Sequence, residues 1–404
     1  MASGVEFDLS IPRREWKTGP SHVDFHIEVD PAMTTFEAAS RRDYSVNSGM
    51  YNVLKDELVD HFGFVHDIER KILKPTSAQF ADDALRVLRG TWLAGMGFRM
   101  PSRYNAIMSG LAKYSWLISR ERVWEEWFKW ASRSEVPSAG IEFLLSAGWL
   151  SLYPEINDLI GCEQDPQHHP EGSAFIHTMM SLDYIASKCD EVGILRESEE
   201  RAMLVDTMLL HDSAKPQTTY RDPADGHIKS PGHDQIGANI MVPNFMNRIG
   251  RVNPDQKKPD HFVEMIKTLV ANHMRHISLK APTRRSVRSM ALDVGNLKYL
   301  SYVVEADNSA RFPKEGGLPP QMKAIMKLAA EMELEQKKPV PFLTGDILIK
   351  LGMLPGIAIG KMIRESFDAQ MNEEFTDMIG AVTWAKARIE SNVEAPPPGY
   401  NVGQ

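Results

Sequence analysis

Met203-Leu204-Val205-Asp206-Thr207-Met208-Leu209-Leu210-His211-Asp212-Ser213-Ala214-Lys215 is the stretch on which the reading of this chain turns. Its largely apolar run from Met203 to Leu210 predicts a buried helix that ends in an imidazole beside a carboxylate. Both groups are ligands for divalent metals. Lys215, three residues after Asp212, is placed to reach a phosphate held on such a metal. A dipeptide alone proves little, and a core His satisfied by its neighbours is the plainer explanation. The weight falls on whether further ligands recur along the chain.

The chain has 404 residues, enough for several domains and a sizeable core. Its 43% hydrophobic and 25% charged composition is that of a globular protein, with no apolar run of membrane-spanning length. Cys162 and Cys189 form no disulfide framework or CxxC pair, which fits a reducing cytoplasm. The net charge of -8 argues against unaided, non-specific nucleic-acid binding but leaves room for local basic patches.

Residues 5–11 alternate like a strand. Two Arg followed by Asp, Arg41-Arg42-Asp43, suit phosphate binding with the Asp anchoring the fork, although an exposed charge run has the same appearance. From about Thr76 the periodicity is helical. Asp82 or Asp83 with Arg86 would share one helix face, continued by Arg89. Spacing alone reads these as a surface ion pair; the functional alternative is an acceptor and a donor fork that read a nucleobase edge.

Several stretches in order now carry a resemblance: Pro12-Arg13-Arg14-Glu15, residues 41–47, residues 57–68 and Phe80-Ala81-Asp82-Asp83-Ala84-Leu85-Arg86. So do residues 121–126, Tyr153-Pro154-Glu155-Ile156, His169-Pro170-Glu171-Gly172, residues 343–346 and residues 352–361. Together they resemble bacterial-type (class II) tRNA nucleotidyltransferases, the CCA-adding enzymes and their poly(A) polymerase relatives. The resemblance implies a mainly α protein. A partial α/β nucleotidyltransferase head (1–74) is expected to precede a neck with nucleotide-recognition helices (75–160). An all-helical HD domain (161–315), a helical tail (316–391) and a disordered terminus (392–404) would follow. It implies ribose and phosphate contacts for Arg41, Arg42 and Asp43, and CTP/ATP templating for Asp83 and Arg86, with Arg89 beside them. The family's Gly-Gly loop and Asp-x-Asp pair have no counterpart in the first 75 residues, and Asp8 is at most an accessory carboxylate. Nucleotidyl transfer needs carboxylates that hold metal ions. Mg with CTP or ATP is therefore expected only if the missing part comes from a separate chain; loss of the activity, leaving a tRNA-binding remnant, is the alternative.

The set His177, His211, Asp212 and Asp307 resembles the ligands of the HD phosphohydrolase superfamily. Four such ligands on helices suit one Mn, Ni, Co, Fe or Zn ion with positions left for water and a phosphate oxygen. His233 and His273 are candidates for a second metal or for substrate phosphate. His227, His261 and His276 read as structural. The expected chemistry is metal-assisted hydrolysis, with Asp212 as ligand and proton acceptor and Lys215 neutralising phosphate charge. The resemblance points to terminal or 2′,3′-cyclic phosphates on nucleotides or on tRNA and other RNA 3′ ends. Arg275, Lys280, Arg284, Arg285 and Arg288 form either an RNA-backbone patch or a solvated loop.

Overall fold

A computed structural model describes residues 11–17, 25–253 and 255–393. The fold is mainly α-helical. Strands among the described residues form three antiparallel pairs: Arg13–Lys17 with Phe25–Val29, Met50–Asn52 with Glu57–Val59, and Tyr220–Arg221 with Ile228–Lys229. The expected strand at 5–11, Asp8 within it and the Pro-rich terminus fall almost wholly outside the described residues. The chain forms two compact units: residues up to His273 with Tyr302–Leu318, and Met274–Ser301 with the residues from Pro319 onward.

At the centre of the first unit is the helix Glu199–Leu210. Ser198 caps it by accepting a hydrogen bond from Arg201 N, and Glu199 and Glu200 lie in its first turn, where the helix dipole favours negative charge. Every residue from Arg201 to Leu210 is buried, so this helix is surrounded by protein. It packs against Arg120–Arg133, Ala174–Glu191 and His261–Asn272. Arg201, fully buried, donates to Asp190 Oδ1 at 2.6 Å and to Ser134 O at 3.0 Å, tying three segments together.

Ahead of this core, Leu85–Gly95 packs on Arg120–Arg133 and Pro137–Ser146. The approach is close at Gly140, where a Cβ would stand 2.5 Å from Trp130 Nε1 and 2.7 Å from Thr91 O. Asp183 of the 174–191 helix accepts from Ser138 N and Oγ at 3.0 and 2.6 Å, which fixes the start of the 137–146 helix.

In the second unit, Thr283 and Ser286 form a reciprocal cap on Arg284–Val294. Pro320–Glu331, Gly345–Lys350, Ile357–Met371 and Met378–Val393 are helices in the stretch expected to form a helical tail. Leu348, Met362, Ala369, Phe375, Ala381 and Ala385 make an apolar core there. No described helix is long and apolar enough to cross a membrane.

Candidate metal centre

The C-terminal end of the central helix delivers His211 and Asp212 into the interior of the first unit, where both are buried. His177 comes from the second turn of the 174–191 helix and Asp307 from Leu297–Ser309. His177 Nε2 lies 3.1 Å from Asp307 Oδ1 and 3.8 Å from Asp212 Oδ2; His211 Nε2 lies 3.3 Å from Asp212 Oδ2. His233 and His273 complete the cluster. Their Nε2 atoms are 3.3 Å apart, and His233 Nε2 is 3.4 Å from Asp212 Oδ1. The structure therefore brings together all six ligand candidates, with one Asp212 oxygen facing His177 and His211 and the other facing His233.

The imidazoles are fixed from behind. His211 Nδ1 pairs with Met208 O, His233 Nδ1 with Ser230 O and His273 Nδ1 with Val270 O, each at 2.7 Å. A carbonyl only accepts, so each Nδ1 carries the proton and each neutral ring turns a bare Nε2 lone pair inward. His177 is held by a carboxylate instead: Glu171 Oε1 lies 2.7 Å from His177 Nδ1 and 2.8 Å from His169 Nδ1. Burial works to raise the Glu171 pKa, but the hydrogen bonds from His169 and His177 bring it down to about 2. Burial opposes charge on His177, yet Asp307 and Glu171 outweigh it and raise the His177 pKa. Burial beside His233 and His211 lowers His273 to about 3. Burial would raise Asp212 and Asp307, but His211 with Lys215 and Arg311 with His177, respectively, hold them well below the usual carboxylate range.

This donor set fits a divalent ion. His211 Nε2 is buried with no hydrogen-bond partner. Two groupings, His177–His211–Asp212 and Asp212–His233–His273, each place their donor atoms within 4.8 Å of one another and could hold a metal ion. Two imidazole nitrogens bound at about 2.1 Å to one tetrahedral ion stand roughly 3.4 Å apart, close to the His233–His273 separation.

Lys215 lies 2.7 Å from Asp212 Oδ2, and Gln164 Oε1 accepts from its ammonium at 2.6 Å. Arg311 Nη2 lies 3.1 and 3.2 Å from the two Asp307 oxygens. Glu171, Gln164 and Arg311 were not among the sequence candidates for the site. Arg311 follows Asp307 by one helical turn, a spacing that signals such a pair. The partners of Glu171 and Gln164 are set only by the tertiary fold.

A second cluster lines a cavity of about 710 Å³ that includes Arg41, Arg42, Asp43, Arg86 and Arg89. Two expectations change here. Asp82 and Asp83 do not share a helix face with Arg86: Asp82 ends a 3₁₀ turn, Asp83 is extended, and the helix begins at Leu85, whose N–H the Asp83 carboxylate accepts at 3.0 Å. Asp43 anchors Arg89, at 3.2 Å, rather than a fork made by its own Arg neighbours. In the second unit, Arg284 and Arg288 pair with Glu373, both at 2.9 Å, and Arg275 pairs with Asp293 at 2.7 Å. Three of the five residues proposed as an RNA-backbone patch are thus engaged with carboxylates. His227, read as structural, pairs with Asp165 at 2.6 Å and holds the 220–229 hairpin.

The fold and cluster define a mainly helical protein with a buried His/Asp centre suited to a divalent ion. No protein-family model matches the chain. The chain is similar to proteins named Multifunctional CCA protein. That of Haemophilus influenzae (strain PittGG) is 32% identical over 260 residues, 61% of this chain and 60% of the relative. That of Methylococcus capsulatus is 34% identical over 186 residues, 44% of this chain and 43% of the relative. That of Xanthomonas campestris pv. campestris (strain B100) is 27% identical over 341 residues, 81% and 77% respectively. The chain therefore spans 60% or less of the length of the first two of these curated relatives. Among solved structures, a Thermotoga maritima CCA-adding enzyme complexed with tRNA aligns over 88% of this chain and 74% of its own, at 14% identity and a TM-score of 0.48.

Proposed function

We propose that this chain is an RNA-processing protein of the tRNA nucleotidyltransferase (CCA-adding) family whose His/Asp centre is a metal-dependent phosphohydrolase. The observation that carries the hydrolase reading is the convergence of three Nε2 atoms on Asp212, His177 and His211 at one oxygen and His233 at the other, with His273 beside His233. Similarity to the CCA proteins supports the family part of the reading.

His177, His211, Asp212 and Asp307 would hold one ion, with His233 and His273 joining Asp212 around a second. A bound ion of the Mn, Ni, Co, Fe or Zn type supplies an acidified water and polarises a phosphoryl oxygen. The chain's own residues do the rest. The Nδ1 bonds to Met208, Ser230 and Val270 keep three rings in the ligating tautomer. Glu171 does the same for His177. Lys215, braced by Gln164, keeps Asp212 ionised and adds positive charge where a phosphate would gain negative charge. Arg311 holds Asp307 ionised. Asp212 would serve both as a ligand and as the acceptor of the attacking water's proton.

The substrate class we assign is a terminal or 2′,3′-cyclic phosphate on a nucleotide or an RNA 3′ end, tRNA included. Product release, AMP from 2′,3′-cyclic AMP and inorganic phosphate from 3′-phosphorylated RNA, with Mn, Ni or Co present, tests this. His211→Ala and Asp212→Ala should abolish release while the fold persists. Undiminished release by both variants would refute the reading.

A further inference from the structure

We propose that the wide π-turn Gly237–Met241 is what makes the His/Asp centre a two-ion centre: by adding one residue to its helix, it swings His233 onto Asp212 and His273. The inference rests on the metal-binding part of the reading above and extends it to a backbone feature outside the ligand set.

Residues 233–248 form one continuous helical stretch. It is α from His233 to Ile236, widens from Gly237 to Met241, and is α again from Val242 to Arg248. In the wide turn Val242 N donates to Gly237 O, five residues back instead of four. Pro243 accounts for where the helix opens. In an unbroken α-helix its ring would press on the carbonyl of Asn239, and it has no N–H to offer that carbonyl.

The extra residue reconciles two faces. Before the turn, His233 is buried, with Nε2 3.4 Å from Asp212 Oδ1 and 3.3 Å from His273 Nε2. After it, Val242, Phe245 and Met246 are buried. This second half is anchored elsewhere in the first unit: the Phe245 ring lies 5.2 Å from that of Trp127, and Arg248 Nε lies 3.1 Å from Glu155. At about 100° per residue, an unbroken α-helix would centre Val242, Phe245 and Met246 roughly 170° away from His233. One residue absorbed in the wide turn removes about 100° of this and leaves roughly 70°. Both halves then face the interior. Without the turn, burial of Phe245 would carry His233 away from Asp212.

The first residue of the turn is also tightly placed. A Cβ on Gly237 would stand 3.2 Å from Val270 Cγ1, 3.8 Å from Leu210 O and 3.9 Å from His211 O. Val270 O accepts from His273 Nδ1 at 2.7 Å. Crowding at position 237 therefore passes to the helix end that carries His273, and ligand distances tolerate only about 0.2 Å of error.

Calorimetric titration of the metal-free full chain with Co tests the proposal. The unsubstituted chain should take up two ions, and Pro243→Ala, which keeps the extra residue, should do the same. Deletion of the exposed Asn239 in the Pro243→Ala background should give a regular helix that holds one ion, the second weakened by at least about tenfold, with cooperative urea unfolding retained. Two ions held undiminished by the deletion variant would overturn the proposal. So would loss of an ion in Pro243→Ala alone, because the proline rather than the extra residue would then set His233. If the deletion variant does not unfold cooperatively, Gly237→Ala decides. It should weaken the second ion by about tenfold, and adding Val270→Ala, which removes the crowding methyl, should restore most of the loss; unchanged binding by Gly237→Ala would overturn the proposal. Fewer than two ions on the unsubstituted chain would overturn the two-ion reading itself, an outcome distinct from failure of the π-turn to matter.

Discussion

His233 and His273 point their Nε2 atoms at each other across 3.3 Å while each Nδ1 donates to a backbone carbonyl. Neutral imidazoles so arranged oppose two lone pairs, and the pair is satisfied only by a cation, a proton or a metal ion. Asp212 Oδ1, 3.4 Å from His233 Nε2, supplies the third donor that favours a metal. His273→Ala should therefore keep one tightly held ion per chain and weaken a second by at least about tenfold. Equilibrium dialysis against Mn or Co, compared with the unsubstituted chain, measures this; an unaltered second binding step would mean that a proton fills the role.

Gly140 sits at a close approach between helices. A Cβ there would meet Trp130 Nε1 at 2.5 Å and Thr91 O at 2.7 Å, the second a backbone atom that cannot turn away. Gly140→Ala should destabilise the first unit by about 1–3 kcal/mol, despite the better helix propensity of Ala. Urea unfolding gives the value directly.

Arg201 is buried completely, yet its partner Asp190 is 40% exposed, so their ion pair is partly screened. The greater loss on Arg201→Met is the hydrogen bond to the Ser134 carbonyl, together with imperfect refilling of the site. The expected cost is about 2–4 kcal/mol, with little change in metal content. A variant of undiminished stability would show that the segment at Ser134 and the central helix are held elsewhere.

Much of the His/Asp cluster was legible because its chemistry lies in residue type: His177 and Asp307 sit on helices, and His211 and Asp212 follow the end of one. Their supports were not. Glu171 orients two histidines and Gln164 steadies Lys215 over 51 positions of sequence separation, which only the tertiary fold determines. The basic residues 275–288 read as a free patch because Glu373, which engages Arg284 and Arg288, is distant in sequence. Asp83 was assigned to a helix by spacing; its side chain instead accepts from Leu85 N at the helix start, a competition that Asp commonly wins at helix ends. The helical character of the stretch from 316 to 391 was legible because apolar periodicity is a local signal.

Asp165 provides a pH-dependent contact outside the set of candidate ligands. The hydrogen bond from His227 draws its pKa down to about 2, below the roughly 3.9 of a free Asp. A depressed carboxylate stabilises the fold above its unfolded pKa, and that contribution disappears as pH falls through about 2. Asp165→Asn should therefore flatten the acid limb of the urea midpoint between about pH 5 and about pH 2. An acid limb identical to that of the unsubstituted chain would contradict the assignment.

The account stands on Asp212 as the carboxylate shared by two metal positions. Titration of the metal-free chain with Co, followed by visible absorption and by dialysis, tests that claim most directly. The account predicts saturation at two ions per chain for the unsubstituted protein, and loss of both binding steps in Asp212→Ala with the helical circular dichroism retained. Saturation of Asp212→Ala at the same stoichiometry and affinity, or no binding by the unsubstituted chain, would contradict it.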